Sequence, residues 1–174
     1  MYFGGLDDFA KSDTSSHQNL ELNFKRNSIN QAGANHLAFG LCQLKNLLNL
    51  TLGLFSNQVQ DDGVFHLSLA IGGMINLKKL RLVLSNNQIT DEGMISLSRS
   101  LKLCKKLLSL RLTLFENNIS FIGAQNSISY VRKHSDIKVL KLNLESNNLL
   151  RRDAQIIKQS IFKIRRLVKL NFQC

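Results

Sequence analysis

The residues able to do chemistry in this chain are few, and their spacing tests the main reaction types quickly. Phosphoryl transfer would need a glycine-rich loop after a strand, a paired lysine, and His-Arg-Asp and Asp-Phe-Gly elements. None of these is present, and Gly4-Gly5 and Gly72-Gly73 do not form a phosphate loop. His36 and His66 lie 30 residues apart and could begin a metal site. The equivalent later positions hold Ser96, Asn126 and Ile156, so two ligands stand alone where a closed zinc site wants four. No cofactor and no metal are expected, and no Ser/His/Asp or Cys/His set is implied, so the chain reads as a non-enzyme. Three cysteines, Cys42, Cys104 and Cys174, are too few and too odd in number for a disulfide framework. They fit thiols in a reducing compartment, and the N-terminus lacks the basic start and apolar core of a secretory signal, so a cytoplasmic location is expected.

What remains is binding chemistry, and the charge distribution points to where it could lie. The formal net charge is +11, and residues 130 to 174 hold 11 Lys and Arg against three acids. An excess of that sign favours anionic partners and also keeps a protein soluble. No apolar run approaches the roughly 18 residues of a membrane span.

The elements that position these residues are visible as a lattice. Leu20, Leu50, Leu80, Leu110, Leu140 and Leu170 share a column with a period of 30. Two residues later stand Leu22, Leu52, Leu82, Leu112, Leu142 and Phe172, and two further Phe24, Leu54, Leu84, Leu114 and Leu144. A period of two is a strand with one buried face. Next come Asn27, Asn57, Asn87, Asn117 and Asn147, each followed two residues later by Ile, Val or Leu. An amide carries both donor and acceptor, so a buried column of asparagines can pair turn backbone of its own and neighbouring coils.

The second half of each unit is marked by Gly33, Gly63, Gly93 and Gly123 and reads as a helix. Leu67, Ile71, Met74 and Leu77, and likewise Leu97, Leu101, Cys104 and Leu107, fall on one helical stripe. Cys104 therefore reads as a core thiol. Asp61-Asp62 and Asp91-Glu92 precede two of the helices and suit the positive end of the dipole. In the fifth unit the glycine becomes Asp153 beside Leu150-Arg151-Arg152, and a distorted turn is expected there.

The pattern Leu-x-Leu-x-x-Asn-x-Ile-x-x-x-Gly-x-x-x-Leu, as in Leu82 to Leu97, resembles the ribonuclease-inhibitor type of leucine-rich repeat. In its 30-residue length it is also similar to tandem-repeat proteins of ciliates. The resemblance covers residues 20 to 174 and implies an α/β, right-handed βα solenoid with parallel strands on the concave side and helices on the convex side. Each unit is two residues longer in the strand region than the usual pattern, so a longer strand or a regular bulge is expected. Residues 1 to 19 leave the lattice and read as a leader or cap. Residues 20 to 174 form five repeats and a sixth strand without its covering helix, where self-association could occur.

Strand residues alternating with the buried leucines must face away from the helices. Arg81, Arg111 and Lys141 make a basic ladder in one column, to be weighed against an ordinary solvated face near Glu116 and Glu145. Phe55 and Phe115 recur in another column as interface anchors, or are tucked under a bulge. Arg151, Arg152, Lys158, Lys163, Arg165, Arg166 and Lys169 form a diffuse C-terminal basic patch without interleaved aromatics. The leading expectation is a protein-binding module or scaffold working through the concave face, with another protein as partner. The alternatives are an anionic polymer or membrane surface held by the C-terminal basic region, and a regulatory piece of a larger kinase-type protein.

Overall fold

A computed structural model describes residues 18–134, 136–164, 167 and 169–174. Six strands form one parallel sheet in sequence order: β1 (Asn19–Asn23), β2 (Asn49–Gly53), β3 (Lys79–Val83), β4 (Ser109–Thr113), β5 (Val139–Asn143) and β6 (Lys169–Gln173). Five helices alternate with them: α1 (Gln31–Leu41), α2 (Gln60–Gly72), α3 (Asp91–Leu101), α4 (Phe121–His134) and α5 (Arg151–Phe162). Consecutive helices pack side by side, which makes the chain a βα solenoid. The register advances 30 residues per strand without slipping, so Leu50 pairs with Leu80, Leu80 with Leu110 and Leu110 with Leu140. Leucines of the two inner columns, from Leu20 and Leu22 to Leu140 and Leu142, are buried in one continuous core, each contributing roughly 1.5–3 kcal/mol through removal from water.

The extra strand length appears as a longer ladder. Beyond each five-residue strand the pairing continues, with Phe24 N–H donating to Gly53 O at 2.7 Å and Arg26 N–H to Phe55 O at 2.9 Å. The same bonds recur from Leu54, Ser56, Leu84 and Asn86. The ladder then stops at a left-handed residue in every described repeat: Arg26, Ser56, Asn86, Glu116 and Ser146 all have φ between 53° and 55°. A regular corner, in phase across all strands, takes the place of a bulge.

At that corner the asparagines close the backbone. The Asn57 side chain accepts from Asn27 N–H at 3.1 Å and Ile29 N–H at 2.9 Å, and donates to Phe24 O and Leu54 O, both at 2.9 Å. Asn117 repeats all four bonds one unit pair later, to Asn87, Ile89, Leu84 and Leu114. Asn87, fully buried, accepts from Val59 N–H and donates to Leu54 O at 2.8 Å and Ser85 O at 2.9 Å. Each amide thus ties its own coil to the one before it.

Three sequence expectations are corrected. The helices begin two or three residues before the glycine column, so those glycines lie in the first turn. Met74, Leu77, Cys104 and Leu107 are buried as expected, yet they follow the ends of α2 and α3. Tight turns, such as Met74 N–H to Ile71 O and Leu77 N–H to Met74 O at 3.0 Å each, prolong the helical spacing without the helix. Asp153 also does not distort its turn: its carboxylate accepts from Leu150 N–H at 3.0 Å and caps α5 in register.

The reason for the glycine at positions 93 and 123 explains that exception. Asp61 reaches into the next repeat, accepting from Thr90 N–H at 2.8 Å, Thr90 Oγ1 at 2.6 Å and Gly93 N–H at 3.0 Å. A Cβ on Gly93 would lie 2.5 Å from Asp61 Oδ1, and one on Gly123 would meet Asp91 equally closely. The position that would press on residue 153 holds Phe121 instead of an aspartate, so no glycine is required there.

Two substitutions test this account through denaturant midpoints at unchanged m-value. Asn87→Leu should cost about 3 kcal/mol or more, because three backbone partners lose their mate in a dry corner. Gly93→Ala should destabilise by roughly 2–4 kcal/mol, opposite in sign to the ~1 kcal/mol gain that helix propensity alone gives for the change.

Candidate functional site

The strand face away from the helices carries the sequence-predicted ladder in register. Arg81 pairs with Arg111 across β3 and β4, and Arg111 with Lys141 across β4 and β5, so adjacent cations stand about one strand spacing, ~4.8 Å, apart along the backbone. Arg81 and Arg111 are exposed and Lys141 is half-buried. Closely spaced like charges on a sheet face repel, and an anionic group bridging them would relieve that cost.

Phe55 and Phe115 stand two strands apart, in the extension of the ladder beyond β2 and β4. Both are half-buried, between the exposed and the tucked-under alternatives. Ser85 lies between them in the column and is only 2% exposed, so the small residue is closed over by its surroundings. Cations from the preceding repeat attend Phe55: Lys25 Nζ sits 4.8 Å from the ring centroid and the Arg26 guanidinium 5.9 Å. Such contacts are worth about 0.5–1 kcal/mol at exposed sites and hold the two positive groups beside the ring.

Sequence reasoning missed what these residues surround. A shallow hollow of about 290 Å³ opens among Phe55, Lys25, Arg81, Thr51 and Glu21, with Gly53 as its floor. The signal was present in the column Asn23, Gly53, Val83, Thr113, Asn143, where one glycine interrupts side chains of ordinary size. Lys25 precedes Phe55 by one period in the same outward column, so its place beside the ring was readable, whereas Arg26 had no comparable signal, its position depending on the left-handed corner.

The C-terminal basic set does not converge. Arg151 and Arg152 are exposed at the start of α5, with Arg152 Nε 3.8 Å from Asp153. Lys163 and Lys169 are exposed at the other rim of the solenoid, a helix length of roughly 18 Å away, and Lys158 lies between. Arg165 and Arg166 lie outside the described residues, as do residues 1–17 of the expected leader. Among the described residues no three His, Cys, Asp or Glu side chains gather into a metal-type cluster around His36 and His66 or elsewhere. No helix of the described residues is long and apolar enough to cross a membrane.

Cys104 is buried and donates its S–H to Ile71 O at 3.3 Å. Burial pushes its thiol pKa up to about 11. Burial likewise raises the neighbouring Tyr130 hydroxyl, and a charge on Cys104 would raise it further. The Cys174 thiol is also raised, by burial first and then by Glu145, against an opposing pull from Lys158.

With this geometry in hand, comparison with known proteins places the chain in a class. A leucine-rich-repeat family model matches residues 76–98, which run from just before β3 through the Asn87 corner into α3. The fold, the 30-residue lattice and that match together make the chain a leucine-rich-repeat protein. Among solved structures, it is similar to the tropomodulin C-terminal domain of Caenorhabditis elegans, with a TM-score of 0.58 at 11% identity, over 91% of this chain and 89% of that one. It is similar also to the leiomodin-1 actin-binding site 2, with a TM-score of 0.53 at 13% identity, over 97% of this chain and 77% of that one. At such identities the likeness establishes the fold. No curated protein sequence matches the chain.

Thiol labelling checks the burial pattern. At pH 8 a maleimide should modify the exposed Cys42 and Cys174 in the native protein, and Cys104 only after denaturant is added. Because the folded pKa of Cys104 is raised, its contribution to stability is complete below pH 9, the ordinary thiol value, and declines as pH rises toward 11. Rapid native labelling of all three thiols would contradict the packing.

Proposed function

We propose that the chain is a non-catalytic protein-binding module whose strand face is the recognition surface. The observation that carries the reading is the convergence on that face of the Arg81–Arg111–Lys141 ladder with the Phe55 hollow. Strands in register make a rigid platform, so side chains lose little freedom on binding. The combination fits a partner segment offering carboxylates to the ladder and a small apolar side chain to the hollow above Gly53. Solenoids of this kind characteristically present extended surfaces to partners. Leiomodin-1 supplies one instance in its actin-binding site 2, which supports a protein partner in general and leaves its identity to experiment.

Phe115 extends the platform toward the C-terminal repeats. The half-burial of both rings suits anchors that already have their orientation fixed before a partner arrives.

Three variants separate the components. Arg81→Glu with Arg111→Glu reverses the ladder, Phe115→Ala removes an anchor, and Gly53→Val fills the hollow with the side chain that the next column position, Val83, already carries. Captured proteins compared quantitatively between wild type and variants should lose the same species in the ladder reversal and in Gly53→Val, by tenfold or more in affinity for a hot-spot loss. A convex-face control, Phe39→Ser, should retain them. Equal retention by all variants would place recognition elsewhere.

A further inference from the structure

Because all strands run parallel, every helix C-terminus and every strand start lie on one rim of the solenoid, and the opposite termini on the other. The two rims differ in charge. In the central repeats, residues 72–79 and 102–109 on the first rim carry five lysines and no acid. Residues 54–62, 84–92 and 114–122 on the second rim carry five acids and no base. Over the described side chains of all five turns of the first rim, nine lysines stand against a single aspartate, Asp136, while the outermost turns of the second rim also hold Lys25, Arg26, Arg151 and Arg152. A favourable interaction with helix C-termini explains only part of this, since it fades within the last turn. Lys78 follows the end of α2 by six residues and Lys105 the end of α3 by four.

The same turns expose large apolar side chains. Ile75 is 61% exposed, Leu103 58% and Leu108 37%, and Phe162 at the end of α5 is 67% exposed. They are interleaved with the lysines by the register itself. Lys78 N–H donates to Leu48 O at 2.7 Å, Leu108 N–H to Lys78 O at 2.8 Å and Lys138 N–H to Leu108 O at 2.9 Å, so leucine and lysine alternate rung by rung along one hydrogen-bonded column. Beside it Lys45, Ile75 and Lys105 repeat the alternation at another position of the turn.

We propose that this rim docks on the surface of an anionic phospholipid bilayer, with the lysines at the headgroups and Ile75, Leu103 and Leu108 entering the interface. A planar charged surface meets the whole rim at once, and the acids in the central turns of the opposite rim favour that orientation by being repelled. Apolar side chains between cations add burial in the headgroup region, which a phosphate backbone would not reward. Single-stranded nucleic acid would instead call for stacked aromatics, and among the described side chains of these turns Phe162 is the one Phe, Tyr or Trp. Docking by the rim leaves the strand face open, so the surface is independent of the protein-binding reading.

Flotation of the full chain with phosphatidylcholine vesicles, with and without about 30% phosphatidylserine, tests it. The protein should float with the anionic vesicles and not with the neutral ones. Reversing three rim charges, Lys78→Glu, Lys105→Glu and Lys138→Glu, should weaken partition by at least about a hundredfold, on the usual contribution of a lysine near such a surface. Ile75→Ser with Leu103→Ser should weaken it by roughly tenfold, as expected for apolar side chains that enter the interface. All five side chains are exposed, and unchanged thermal midpoints would show that the variants fold. Failure to float with anionic vesicles overturns the proposal. So does flotation untouched by the apolar pair and competed away by a single-stranded oligonucleotide of equal charge, which would identify a polyanion site.

Discussion

Every coil of this solenoid must turn out of its strand at a corner where backbone groups are shut away from water, and a side-chain amide from the following coil pairs them. The rest of the structure depends on that arrangement. Helix and strand satisfy their own backbones, but the corner cannot, because its left-handed residue breaks the ladder in every described repeat. Asn57, Asn87, Asn117 and Asn147 each bond to the coil before, so a corner is complete only when its neighbour is in place. Cohesion therefore travels along the array by nearest-neighbour contact.

A second clasp works across the helix starts. Asp61 and Asp91 each reach one repeat forward, to Thr90 and Ser120, and the glycine there makes room. The two clasps hold the strand columns at constant register, so Arg81, Arg111 and Lys141 stand in line without bonds among themselves. The face is thus shaped by corners and helix starts that take no part in recognition. Charge follows this geometry in part, since a parallel array sends all strand starts to one rim, whose central turns hold five lysines and no acid.

Much of this was legible in the residues. The period of 30 fixed the strands, their buried columns, the outward ladder and the pairing role of asparagine, because one wrong position would have thrown the lattice out of phase. Helix ends were less legible: the turns that hold Met74 and Cys104 keep helical spacing after the helix has stopped. Asp153 misled because glycine was read as a backbone requirement, when at Gly93 and Gly123 it answers a carboxylate from the previous coil. Around Phe55 the outward column, Lys25 included, was readable, but the hollow over Gly53 and the guanidinium of Arg26 beside the ring depend on how the coils stack. The rim's alternation escaped notice because its residues belong to no strand or helix pattern, only to the repeat in register.

The central claim is that a ladder of buried side-chain amides makes the corners, and hence the strand face, rigid before any partner is present. Hydrogen exchange resolved to single amides tests it most directly. Ile29, Val59, Ile89 and Ile119 lie outside strands and helices, yet their N–H groups should exchange as slowly as those of the central strands and speed up together in Asn87→Leu. Exchange of these amides at the rate of solvent-exposed turns would contradict the account.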